Sequence, residues 1–161
     1  MEVITNSIRV AKLSLDYYHF SPVLRSQLRD KRGDLVVSPV SEAEVLRVAQ
    51  VCVKYQVPLT VRGAGTGNYG QCVPLEGGVI LDKTRMNAIR WIRPGVACVE
   101  PGVKMAAFDK QAREMIGSCG WFPRLTALQR LAALLVGAVA GLVRFGMDNC
   151  AITATFMQLE W

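Results

Sequence analysis

The stretch VPLTVRGAGTGNYGQCVPLEGGVILD, residues 57–82, decides how this chain folds. A short apolar run, VPLTV, leads into glycines at 63, 65, 67 and 70, interleaved with Thr66, Asn68 and Gln71. A second apolar run, GGVILD (77–82), then follows without a helical pattern between. Glycine-rich turns let bare backbone N–H groups approach an anionic group closely, so the stretch reads as a strand, a phosphate-sized cradle and another strand.

Upstream of this stretch, Ser41 and Glu44 form a capping box, and Val45, Leu46, Val48, Ala49, Cys52 and Val53 repeat at helical spacing. The spacing predicts a helix over 41–55, preceded by a strand at DLVVSP (34–39). Strand, helix, strand and glycine loop in that order predict parallel strands with the loop at their carboxyl end. Further on, GGVILD, AIRWI (88–92) and VACVEPG (96–102) read as meander strands. Residues 103–116 carry Met105, Phe108, Ala112, Met115 and Ile116 at helical spacing, with Gly117 as the expected cap.

Gly65, Gly67 and Gly70 formally satisfy G-x-G-x-x-G, but that dinucleotide fingerprint needs a helix opening directly behind it. QCVPLEGG follows instead, so the Rossmann reading fails on context. A kinase glycine loop fails too, because no H-R-D or D-F-G follows. A purely structural turn needs one or two glycines rather than four flanked by polar side chains.

Composition sets bounds on partners. With 51% apolar and 20% charged residues, the 161-residue chain is expected to bury a core. Its net charge of +6 is scattered, with no run of like charges to mark a nucleic-acid surface. Cys52, Cys72, Cys98, Cys119 and Cys150 are odd in number and contain no C-x-x-C pair. They are expected to be small buried residues in a reducing, cytoplasmic setting, and no metal site is predicted. No secretory signal is evident. The uncharged run LAALLVGAVAGLV (131–143) is too short to span a membrane and reads as a buried helix or core segment. His19 is expected to be a surface or packing residue, and Asp82, Glu100, Asp109 and Asp148 strand-end or helix-surface carboxylates.

Residues 34–89 followed by VACVEPGV closely resemble the FAD-binding domain of the FAD-linked oxidases related to vanillyl-alcohol oxidase and p-cresol methylhydroxylase. The likeness is nearest to the glycolate- and lactate-oxidising flavoproteins. It implies an α+β fold of the FAD-binding PCMH type: a small parallel β-α-β subdomain plus a mainly antiparallel β subdomain with helices. Residues 1–33 would be an entry arm and helix. Residues 34–161 would be the FAD-binding domain, incomplete at its C-terminal end and lacking the substrate cap. The resemblance assigns the FAD pyrophosphate to Arg62, Gly63, Ala64, Gly65, Thr66 and Gly67, with Asn68 and Gln71 nearby, and places Pro101, Gly102 and Val103 by the adenine.

Some relatives tether FAD through a histidine in this loop, where Thr66 stands here, so the implied cofactor is non-covalent FAD. Pro123, Gly137 and Gly141 keep the family's later pattern. Arg124, Leu125, Ala132 and Ala133 depart from it where small polar residues and paired glycines flank the flavin ring. The implied function is the FAD-binding portion of an oxidoreductase of 2-hydroxy acids or other alcohols, with no catalytic base identified. Its small-molecule substrate would be held by a cap or partner chain, so this chain alone is expected not to turn over. The alternative is a non-catalytic or regulatory remnant of the fold.

Overall fold

In the computed structural model, residues 1–93 and 97–115 are described in full, together with the backbone of Val96, Ile116 and two later strands. Helix α3 (Glu42–Lys54) organises the first half. Ser41 caps it, its hydroxyl accepting from Glu44 N at 3.4 Å, while the Glu44 carboxylate turns back to accept from Val40 N at 2.8 Å. Val45, Val48 and Cys52 form the buried face and pack with Val37, Leu81 and Met86. Burying such a side chain contributes roughly 1.5–3 kcal/mol. The helix ends at Tyr55, and Gln56 takes a left-handed φ of 53° that turns the chain toward the next strand.

That strand, β3 (Leu59–Arg62), lies in a four-stranded sheet with β1 (Glu2–Ile4), β2 (Leu35–Ser38) and β4 (Val79–Asp82), in the order β1-β2-β4-β3. β2, β3 and β4 run parallel, as the strand-helix-strand pattern predicts. β2 and β3 are not neighbours, however, because β4 inserts between them. The expectation that GGVILD begins a meander is therefore corrected: Ile80 and Leu81 are buried on both faces of the sheet, as a central parallel strand requires.

A second sheet holds β5 (Ile89–Arg93), β6 (Val96–Val99), β7 (Gly141–Phe145) and β8 (Ile152–Thr155), antiparallel and in sequence order. Helix α4 (Met105–Ile116) covers it, with Met105, Phe108 and Ala112 packed with Ile92, Ala97, Val99 and Val103. The last three residues of the 131–143 run belong to β7 rather than to a helix. The rest of that run, the expected cap at Gly117, and Pro123, Arg124, Leu125, Ala132, Ala133 and Asp148 lie outside the described residues.

The first 33 residues contribute a strand, helices and buried side chains. β1 pairs antiparallel with β2, Asn6 caps helix α1 (Ser7–Leu13), and Ser14, Asp16 and Tyr18 are buried. Helix α2 (Pro22–Leu28) then leads toward β2. Among the described residues no helix is long and apolar enough to cross a membrane.

Candidate cofactor site

The glycine loop leaves the carboxyl end of β3, where Arg62 stands opposite Asp82 of β4. Arg62, the last residue of β3, is not the solvated cation that an arginine at a strand end suggests: only 8% of it is exposed. Its Nη1 donates to Leu15 O at 2.6 Å and to Cys72 Sγ at 3.4 Å. The guanidinium therefore lies beneath the loop, a fixed positive charge supporting the turn.

Each turn of the loop is closed from below by a side chain. Gly65 has φ +68°, and a Cβ there would overlap the Arg62 guanidinium. A Cβ on Gly67 would overlap Gln71 Oε1, which accepts from Tyr69 N at 3.1 Å. Gly70, at φ +78°, would place a Cβ 2.5 Å from Leu28 Cδ1. Gly67 O accepts from Tyr17 N at 2.8 Å, so the entry segment grips the loop at its middle.

Among the described residues, no backbone N–H from Gly63 to Asn68 donates a hydrogen bond within the protein. A row of such donors above a buried arginine is a cradle for anionic oxygens. Arg62, Gly63, Ala64, Gly65, Thr66, Gly67, Asn68 and Gln71 are thus brought together as one turn. Arg62 and Gln71 brace it from inside.

Pro101, Gly102 and Val103 are also buried. Gly102 N donates to Met86 O at 2.6 Å, and the turn packs on the carbonyls of the short 3-10 segment Lys83–Arg85 that follows β4. The backbone of Gly102 thereby joins the second sheet to the end of the first.

Sequence reasoning missed Leu15 and Tyr17, whose partners Arg62 and Gly67 lie about fifty positions away in sequence, and Asp16, which is buried between them. The signal available was a lone carboxylate set between an apolar and an aromatic residue. His19 is exposed, its ring 4.5 Å from that of Phe20. Asp82 accepts from both the N–H and the hydroxyl of Thr84, and Glu100 from Ala88 N and Arg90, so both are structural carboxylates. Burial pushes the Cys72 thiol up, which makes it a packing residue rather than a nucleophile.

Lys83, 2% exposed at the end of β4, has its pKa lowered by burial to about 8 from an ordinary 10.5. Between those two values the unfolded chain binds the proton and the folded chain releases it, so stability rises with pH across that window. Replacing Lys83 by methionine is expected to abolish that rise, so that the variant's advantage over the unmodified chain is greatest at pH 7. Urea unfolding from pH 7 to 10.5 should show that advantage shrinking above about pH 8. An advantage that does not vary with pH would contradict the assignment.

A parallel strand trio ending in an N–H-lined glycine loop, joined to an antiparallel sheet and lacking the Rossmann helix, defines a nucleotide-cofactor domain of its own class. A family model described as an FAD binding domain matches residues 33–149, and the chain belongs to that family. FAD is the cofactor of this domain.

The chain is 41% identical over 78 residues to the glycolate oxidase subunit of Escherichia coli strain K12, covering 47% of this chain and 16% of that protein. It is 29% identical over 141 residues to alkyldihydroxyacetonephosphate synthase of Dictyostelium discoideum, covering 81% of this chain and 23% of that one. A solved alkyldihydroxyacetonephosphate synthase superposes with TM-score 0.68 at 25% identity, over 83% of this chain and 28% of that one. The chain thus spans less than a third of the length of each. The residues present fit the cofactor: the loop offers backbone N–H groups without acceptors among the described residues, beside a buried arginine.

Proposed function

We propose that this chain is the FAD-binding portion of an FAD-linked oxidoreductase acting on a 2-hydroxy acid or another alcohol, with the FAD diphosphate held on the 62–71 loop. The observation that carries this reading is the row of backbone N–H groups from Gly63 to Asn68 without acceptors among the described residues. Each such donor to an anionic oxygen contributes roughly 1.5–3 kcal/mol. Thr66 and Asn68 offer side-chain donors to the same group, and buried Arg62 adds positive potential from beneath. FAD supplies the two-electron redox chemistry when bound, while the chain binds and orients it. The likeness to the glycolate oxidase subunit supports the substrate class. The broader likeness to alkyldihydroxyacetonephosphate synthase supports a second reading, in which the same domain serves a synthase of that kind.

Isothermal titration of the chain with FAD tests the binding, and saturation at about one FAD per chain is expected. The loop carries no histidine, and Thr66 lacks the imidazole nucleophile a tether needs, so flavin should leave completely on denaturation. Absence of binding would refute the reading, and flavin that stayed with the polypeptide on a denaturing gel would refute the non-covalent linkage.

A further inference from the structure

The entry segment that grips the loop holds a buried carboxylate with one oxygen unused. Asp16 is only 4% exposed. Its Oδ1 accepts from Tyr18 N at 2.8 Å, forming a local turn, while Oδ2 is buried with no partner among the described residues. A buried carboxylate oxygen without a donor is costly, so a donor brought to it is held strongly.

The position of that oxygen is specific. A Cβ built on Gly67 would lie 3.3 Å from Asp16 Oδ2 and would overlap Gln71 Oε1, so the two side chains converge on the same face of the loop. Gln71 spends its Oε1 on Tyr69 N, which leaves the two Nε2 donors for another acceptor. The segment itself is fixed on both sides of Asp16, through Leu15 O to Arg62 and through Tyr17 N to Gly67 O.

The geometry points to Asp16 as a positioning residue for the cofactor loop: its Oδ2 accepts from Gln71 Nε2 as the loop takes up the diphosphate. This rests on the reading of 62–71 as the FAD loop. It adds a residue outside the family-matched segment 33–149 and gives Gln71 an internal role in place of a contact to the cofactor. Because Gly67 lies between the two side chains, the latch fixes the middle of the row of N–H groups.

Donor and acceptor can be exchanged to test this. Asp16→Asn keeps the Oδ1 acceptor for Tyr18 N and turns Oδ2 into a donor facing a donor. Gln71→Glu keeps the acceptor for Tyr69 N and sets two carboxylates together. Each single variant is expected to weaken FAD binding by about tenfold or more, and D16N/Q71E to return to within about threefold of the unmodified chain, by calorimetry. A merely structural role for Asp16 gives no such rescue. Single variants that bind FAD like the unmodified chain, or a double variant weaker than either single one, would overturn the latch. If the unmodified chain binds no FAD, the cofactor reading fails on its own. The latch is then tested by amide hydrogen exchange over residues 63–71 in the same four proteins. Faster exchange in each single variant, restored in the double, supports it, and equal exchange in all four overturns it.

Discussion

Replacing Gly65 by valine is expected to reduce FAD affinity by about a hundredfold or more. Two costs coincide at this residue. Its φ of +68° lies in the left-handed region, where a β-branched side chain is strained by roughly 1–2 kcal/mol or more. Its Cβ would also overlap the Arg62 guanidinium, which cannot step aside without releasing Leu15 O and Cys72 Sγ. The turn must then reshape, which displaces the N–H groups flanking it. The α3 core of Val45, Val48 and Cys52 involves none of these atoms, so far-UV circular dichroism should be retained. Calorimetry showing unchanged FAD affinity in this variant would remove the loop from the cofactor site.

The second large effect is expected at Gly102. A Cβ there would fall 2.6 and 2.8 Å from Met86 O and Thr84 O, and closer still to Lys83 O. These are backbone atoms at the end of β4 and cannot rotate away as a side chain would. Gly102→Ala should therefore push the second sheet off the first, at a cost on the order of 3 kcal/mol. Thermal unfolding should show Tm lower by roughly 10 °C. A shift within about 1 °C would mean that the turn is not the joint described here.

The contrast between these glycines shows where the sequence is legible. Gly65 follows a clear strand and sits among other glycines, so its conformational role can be inferred from local pattern. The close approach at Gly102 depends on carbonyls some sixteen to nineteen positions earlier, and no local pattern announces it. Helix α3 is readable for the same reason as Gly65, since Ser41, Glu44 and the Val45, Val48, Cys52 stripe all act within four residues of one another.

Strand order is a non-local matter. Nothing in VILD distinguishes a strand that inserts between two parallel neighbours from one that begins a meander, apart from its lack of polar alternation. β1 is three residues long, below the length at which alternation can be seen. Arg62 shows the limit most clearly: an arginine at a strand end is ordinarily solvated, and its burial here depends on a carbonyl 47 positions away. Family resemblance supplied FAD. The support beneath the loop, from Leu15 O through Arg62 and from Tyr17 N to Gly67 O, became visible only in three dimensions.

In the function proposed above, the N–H groups of Gly63 to Asn68 hold the FAD diphosphate. Amide resonances of the 15N-labelled chain, followed during titration with FAD, test it directly. The largest shifts, and new protection from solvent exchange, are expected on residues 63–68. Saturable FAD binding that leaves those amides unmoved while shifting others elsewhere in the chain would contradict it.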